Sequence, residues 1–92
     1  MPSVHYNDFM RHKDIINQLQ NLNPSALFAD GFDSAILGYT NNKLPHVAVY
    51  DAEKCISILI ESGMSVEEAT NYFENHLLFH HFSPNDPIFI SL

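Results

Sequence analysis

The sequence DAEKCISILIESGMSVEEATNYFENH, residues 51–76, decides the fold because it predicts two helices separated by a single glycine. Asp51 precedes the first helix, where its carboxylate can accept hydrogen bonds from the free N–H groups of the first turn. Gly63 can end that helix in a left-handed conformation, and Met64 would then fold back onto Leu59. The stretch therefore predicts a helical hairpin.

The second helix of the hairpin is predicted to begin at Ser65. Ser65 and Glu68 have the spacing of a capping box, in which each side chain bonds the backbone N–H of the other residue. Helical periodicity extends this helix from residue 66 to residue 78 or 80. Its predicted inward stripe consists of Val66, Ala69, Tyr72, Phe73, His76 and Leu77.

Composition indicates one small, acidic domain. The chain has 92 residues, 46% of them hydrophobic and 16% charged, which is enough apolar material for one modest core. Its formal net charge is −7, and no Lys or Arg follows Lys54. This charge disfavours DNA, RNA or an anionic membrane as a direct ligand and favours a partner with a basic surface.

The sequence also restricts where the protein is expected to act. Cys55 is the only cysteine, so an internal disulfide is excluded. The N-terminal residues lack the basic and apolar regions of a secretory signal. No apolar run approaches the ~20 residues that a membrane-spanning helix needs. We therefore expect a soluble, intracellular protein without membrane partners.

The segments on either side of the helical hairpin predict one further helix and three strands. Residues 7–22 have the periodicity of an amphipathic helix. Asn23 and Pro24 combine a capping residue with a proline at the first helical position, which predicts a short second turn of helix over residues 24–28. Residues 35–40 and 46–50 are β-prone runs joined by a turn-forming segment, which predicts a β-hairpin. Residues 88–92 are too apolar to remain in water and are expected to form a third strand.

These elements predict an α+β fold, in which a small antiparallel sheet (hairpin plus C-terminal strand) packs against the helical hairpin. An extra helix lies at the N-terminus. We expect a single domain, residues 1–92, with an N-terminal helical extension at residues 1–28 and a core at residues 30–92. Gly38 in the first strand suggests either a β-bulge or the close approach of another backbone.

An ordered series of short motifs runs through this predicted core. They are DGFD (30–33), AILG (35–38), VAVYD (47–51), KCI (54–56), IL (58–59), GMS (63–65), EEA (67–69), YFEN (72–75) and PIFI (87–90). Over about residues 30–90, this series resembles a family of small proteins encoded by tailed bacteriophages. The chain departs from the family pattern before Asp30 and at residues 76–81, where relatives have a glycine-containing turn.

The resemblance implies a cellular context and no catalytic residue or cofactor. It places the protein in the cytoplasm of an infected bacterial host, where small acidic phage proteins bind and inhibit host or anti-phage defence proteins. The first hypothesis is therefore a non-enzymatic interaction protein that binds such a partner through an acidic helical face. The candidate residues are Glu61, Glu67, Glu68, Asn71 and Glu74, which would equally suit a solvated helix face.

A second hypothesis is a zinc-binding protein or enzyme. His76 and His80 are four residues apart and would share one face of a helix, with His81 and Asp86 available as further ligands. Leu77 occupies the position where a metalloprotease motif needs glutamate. The competing interpretation is a set of histidines at a helix end, where positive charge suits the helix dipole.

Other polar groups suit structural roles better than catalysis. Asp30 and Asp33 fit a turn, and Asp51 and Glu53 fit a helix start, so no acid/base pair is indicated. Cys55 on an apolar helix face is expected to be a small buried hydrophobe. We therefore predict no enzymatic activity.

Two further expectations concern surfaces. Core packing is the default expectation for Tyr39, Tyr50 and Tyr72, and the rim of an interface is the alternative for each. The third hypothesis is a homo-oligomer, such as a homodimer, in which residues 88–92 pair across a two-fold axis.

Overall fold

The structure is a computed structural model that describes residues 4–42, 44–78 and 83–92, with side chains described from residue 11 onward. Its helices are α1 (Val4–Leu22), α2 (Ala52–Glu61) and α3 (Val66–Phe73), and its strands are β1 (Ile36–Tyr39), β2 (Ala48–Asp51) and β3 (Ile88–Ile90). A 3₁₀ turn, Asp33–Ala35, precedes β1, and a π-helix, Glu74–Leu78, follows α3. This is the predicted α+β fold.

The start of α2, the break at Gly63 and the start of α3 lie where they were predicted because local hydrogen bonds fix them, whereas the predicted second helix continues after Phe73 as a π-helix. Asp51 Oδ1 accepts from the backbone N–H groups of Glu53 and Lys54, at 3.0 and 3.3 Å. Gly63 has φ +117°, a left-handed conformation that costs glycine little. Backbone bonds from Gly63 to Ile60 and from Met64 to Leu59 complete a Schellman stop at 3.0 and 3.3 Å.

The capping box at the start of α3 is also confirmed. The Ser65 N–H donates to Glu68 Oε1 at 2.9 Å, and the Glu68 N–H donates to Ser65 Oγ at 3.1 Å. Both groups would otherwise be free at a helix N-terminus, so the pair fixes where α3 begins.

The sheet has the strand order β1-β2-β3, and one of its pairings was predicted wrongly. β1 and β2 form the predicted antiparallel hairpin, with a register shift between Ile36 and Gly38 that confirms the bulge. β3, in contrast, pairs with β2 in parallel, so the sheet is mixed and not wholly antiparallel. The chain crosses through α2 and α3 between these two strands, and such a crossover permits the parallel direction.

The predicted helical turn at residues 24–28 does not form. Asn23 Oδ1 accepts from the Ser25 N–H at 3.1 Å, but Asn23 Nδ2 donates to the His46 carbonyl and to Asn85 Oδ1, at 2.8 and 2.9 Å. The Leu27 N–H donates to the Asn85 carbonyl at 3.1 Å. These long-range bonds take the place of helical ones and attach the segment to two other loops.

One hydrophobic core joins the helices to the sheet. Tyr50, Leu19 and Cys55 are its largest fully buried side chains. α1 therefore belongs to the same hydrophobic core as the sheet, through Leu19, and is not a separate extension. The remaining buried members are Ala29, Phe32, Ala35, Ile36, Ala48, Ala52, Leu59, Ala69 and Phe73.

Aromatic rings connect α3 to the sheet at β3. Tyr50 and Phe89 are register partners on β2 and β3, and their rings stack with centroids 5.4 Å apart. Phe73 of α3 meets Phe89 edge to face at 5.3 Å. Such geometries add a modest attraction to the burial of the rings. Phe73 is therefore a residue through which α3 contacts β3.

Tyr50→Phe is expected to lower the free energy of unfolding by about 1–3 kcal/mol. The Tyr50 hydroxyl accepts a buried hydrogen bond from the Ala29 N–H at 2.9 Å, and the substitution leaves that N–H without its partner. Tyr39→Phe is the matched control, because the Tyr39 hydroxyl bonds Gln18 in an exposed position at 3.3 Å. Urea unfolding of both variants checks this, and equal losses would contradict it.

Candidate interaction surface

The outward side of α3 carries most of the acidic residues that the sequence singled out. Ala69 and Phe73 are the buried residues of this helix. Because successive residues advance by about 100° around a helix, the opposite side faces solvent. Four exposed residues occupy that side, and we call them the acidic face: Glu67, Glu68, Asn71 and Glu74.

Glu61, the fifth predicted residue, is exposed at the last position of α2. It belongs to α2, the other helix of the hairpin, and lies outside the acidic face. The structure thus places four of the five candidate residues on one side of a single helical segment. Glu74 already belongs to the π-helix that follows α3.

Glu68 has a structural role in addition to its surface position. One of its carboxylate oxygens accepts the Ser65 N–H in the capping box. A change that removes this acceptor weakens the start of α3, by about 1 kcal/mol for a typical cap. Glu68→Gln retains an acceptor and removes only the charge, since glutamine also completes a capping box. It is therefore the substitution that separates the two roles.

A groove of about 360 Å³ runs beside the acidic face. The Tyr72 side chain is 40% exposed and its ring lies 4.6 Å from the ring of His76, centroid to centroid. We call this feature the Tyr72 groove. Its lining residues are Met64, Glu68, Asn71, Tyr72, Asn75 and His76. Two of these residues, Glu68 and Asn71, belong to the acidic face as well, so the carboxylates and the aromatic ring share one surface.

The predicted inward stripe of the second helix was too wide. Ala69 and Phe73 are buried and Leu77 is half-buried, as predicted, but Val66, Tyr72 and His76 are exposed. α3 has only eight residues, so two side chains suffice to attach it. The π-helix after it has more residues per turn, which moves His76 away from the stripe. Of the three candidate rim tyrosines, Tyr50 is in the core, Tyr39 is half-buried and Tyr72 is exposed.

Two of the four candidate metal ligands line one groove. His76 and Asp86 border a second groove of about 350 Å³ that has an apolar wall including Leu27 and Phe89. Asp86 Oδ2 accepts from the Ser83 N–H at 2.8 Å, so the carboxylate shapes a turn. His80 and His81 lie outside the described residues. Within the described part of the chain, no group of three or more potential ligands is close enough to hold a metal ion.

The remaining candidate groups have structural positions. Asp51 caps α2, as expected, and Asp30 and Asp33 flank the turn at Gly31, which has φ +90°. Cys55 is fully buried, and this burial raises the pKa of its thiol to about 12. Since the thiolate is the nucleophilic form, burial and a raised pKa both disfavour a nucleophilic role for Cys55.

Stability is expected to fall as pH rises above about 9. Burial raises the pKa of Cys55 from 9.0 to about 12 and that of the Tyr50 hydroxyl from 10.0 to about 12. Both groups stay neutral in the folded protein while the unfolded chain ionises. The stabilisation is therefore complete below pH 9 and declines toward pH 12, by about 1.4 kcal/mol per pH unit for each group.

Urea midpoints measured from pH 8 to pH 10.5 check this dependence. In Cys55→Ala, the decline between pH 9 and pH 10 is expected to become smaller, although the variant is less stable throughout because it leaves a small cavity. A midpoint that is flat to pH 10.5 in the wild type would contradict the burial of both groups.

Two features of the surface were not predicted from the sequence. Met64 and Asn75 border the Tyr72 groove. Asn75 could have been found, because it follows Asn71 by one helical turn. Arg11 and Lys54 line a common cleft elsewhere on the molecule. These two residues are far apart in sequence, and no local pattern connects them.

No protein-family model, no curated protein and no solved structure matches this chain. Among the described residues, no helix has the length and apolar character needed to cross a membrane. The acidic face, the grooves and the motifs of the sequence are therefore the features of this chain that indicate a function.

Proposed function

We propose that this chain is a non-enzymatic interaction protein of bacteriophage type that binds a basic surface on a host or anti-phage defence protein through its acidic face. The observation that carries the proposal is the concentration of exposed carboxylates on one side of α3, beside an exposed tyrosine. Glu67, Glu68 and Glu74 surround Asn71 there. The phage context comes from the motif series of the sequence.

Charge and groove have complementary parts in this proposal. No Lys or Arg follows Lys54 in the sequence, so residues 55–92 contain no such cation to oppose the carboxylates. An acidic surface accelerates encounter with a basic partner and selects against acidic ones. Tyr72 supplies a large, rigid contact of the type that is enriched at binding hot spots. Charge then guides the partner, and the Tyr72 groove holds it.

Inhibition follows if the basic surface of the partner is itself a nucleic-acid groove. Proteins that bind nucleic acid present lysine and arginine in positions that neutralise phosphates. Carboxylates on a helix can occupy the same positions and exclude the nucleic acid. The chain then acts by occupying a site and needs no catalysis and no cofactor.

Capture of the partner at two salt concentrations tests this proposal. Tagged protein is incubated with a lysate of a bacterial host at low and at moderate salt, and bound proteins are identified by mass spectrometry. We expect one stoichiometric basic partner whose capture weakens as salt rises, because salt screens exposed charges. Glu68→Gln is expected to reduce the capture with an unchanged fold. Capture that is insensitive to salt and to this substitution would argue against an electrostatic surface.

A homo-oligomer is the second candidate, and one observation favours it. β3 is an edge strand of the sheet, and Ile90 and Leu92 are 38% and 78% exposed at its end. An exposed edge with apolar side chains can pair with a second copy. The mass of the protein in solution decides this candidate, and a monomer at micromolar concentration would exclude it.

A further inference from the structure

A cleft on another part of the molecule collects positive charge. It has a volume of about 330 Å³ and lies between α1, the 3₁₀ turn that precedes β1, and the beginning of α2. Arg11 and His12 from α1 and Lys54 from α2 line it, together with Ser34. We call it the basic cleft. Two of the four Lys and Arg residues of a chain with net charge −7 therefore border one small space.

The two cations of the basic cleft have no partner among the described residues. The Arg11 guanidinium makes no hydrogen bond or ion pair to any described residue, and the same holds for the Lys54 ammonium. Asp51 is the one carboxylate that lines the cleft, and its Oδ1 accepts the two backbone N–H groups that cap α2. Arginine and lysine are the side chains that most often bind carboxylate and phosphate groups.

The wall of the basic cleft is apolar. Ile15, Ala35, Ile36 and Leu37 line it, and Leu37 is 40% exposed although it is a large hydrophobic residue. The volume is at the small end of the range for ligand sites, about 300–1,000 Å³. The space thus suits a compact molecule that has an apolar body and one anionic end, and it is too small for a polymer.

We propose that the basic cleft binds a small organic anion, with a carboxylate or phosphate group between Arg11 and Lys54 and an apolar body against Ile15 and Leu37. This site is separate from the acidic face, so it does not depend on the proposed function. Both anionic groups share the oxyanion chemistry that the guanidinium recognises. Ser34 can donate a further hydrogen bond from its hydroxyl.

Backbone amide shifts measured by NMR test the proposal with three probes. They are phenyl phosphate, benzoate and the neutral isostere benzamide, each titrated to millimolar concentrations at constant ionic strength. We expect the two anions to shift the amide signals of residues 11–15, 34–37 and 54. Benzamide is expected to bind at least about tenfold more weakly than the anions, since a hydrogen bond to a charged group contributes about 1.5–3 kcal/mol. The stronger of the two anions identifies the preferred head group.

Two variants complete the test. The double variant Arg11→Gln and Lys54→Gln is expected to lose the binding by about tenfold or more. Lys13→Gln is the matched control, because the substitution removes one positive charge from the same helix while Lys13 itself lines a neighbouring groove. This variant is expected to bind the anions as the wild type does. Equal binding of benzamide, equal binding by the double variant, or no shift with either anion would each overturn the proposal.

Discussion

Reversing Glu67 and Glu74 to lysine is expected to abolish capture of the partner while the protein stays folded. Each substitution changes the charge by two, so the double variant moves from −7 to −3 and places two cations on the acidic face. Like charges that meet across an interface cost several kcal/mol, which corresponds to at least about a hundredfold loss of affinity. The measurement is capture of the partner by tagged wild type and double variant at low salt.

The fold of this variant is expected to survive. Both side chains are exposed, and exposed substitutions usually change stability by no more than about 0.5 kcal/mol. Replacing Glu67 by lysine lowers the free energy of unfolding further, by about 0.3–1 kcal/mol, because position 67 lies in the first turn of α3, where the helix dipole favours negative charge. Circular dichroism and urea unfolding of the purified variant verify this.

A second double variant controls for net charge. Asp14→Lys with Asp30→Lys gives the same change of charge at exposed positions away from α3. We expect it to capture the partner nearly as well as the wild type does, apart from a slower association. If both double variants lose the partner equally, total charge and not the acidic face governs binding.

Phe73→Ala is expected to lower the free energy of unfolding by about 3–5 kcal/mol. Phe73 is 4% exposed and packs edge to face on Phe89, so its removal leaves a cavity where α3 meets the sheet. Small domains are stabilised by only about 5–15 kcal/mol in total. The variant is therefore expected to be close to unfolding at 37 °C, which thermal unfolding measures directly.

Tyr72→Ala is the matched control for this loss. Tyr72 is adjacent in sequence but 40% exposed, so its truncation is expected to cost less than about 1 kcal/mol. The same variant is expected to weaken partner capture, because it removes the aromatic side chain that lines the Tyr72 groove. Two neighbouring aromatic residues thus separate stability from binding. Equal destabilisation by the two substitutions would mean that α3 presents a different side to the core.

The features predicted correctly from the sequence are those that local chemistry determines. Asp51, Gly63, Ser65 and Glu68 fix the helical hairpin through hydrogen bonds between residues no more than five positions apart, so their pattern could be read directly. The β-hairpin and the bulge at Gly38 follow from equally short-range signals.

The features that could not be predicted depend on the path of the chain through space. The run at positions 88–92, in which four of the five residues are apolar, predicts a strand. The direction of this strand beside β2 depends on the crossover through two helices. The hydrogen bonds of Asn23 to His46 and Asn85 likewise join loops that are distant in sequence. Such contacts replaced the helical turn that Asn-Pro had indicated.

The candidate site shows the same division. Periodicity alone placed Glu67, Asn71 and Glu74 on one side of a helix, and all three are exposed in the structure. Glu68 was a candidate only because it is nearby in sequence, and it is exposed as well. The sequence placed Tyr72 in the inward stripe and left the rim of an interface as the alternative. The choice between them depends on how narrow a stripe attaches α3 and on the π-helix that follows. Convergence of Arg11 and Lys54 has no local signature in the sequence.

The most direct test of the acidic face is the footprint of the captured partner. Amide hydrogen exchange of the chain, free and in the complex, reports which residues become protected when the partner binds. We predict added protection in residues 65–78, centred on Asn71 and Tyr72, with exchange in residues 11–22 unchanged. Protection centred on the basic cleft or on β3, with none in residues 65–78, would contradict the account.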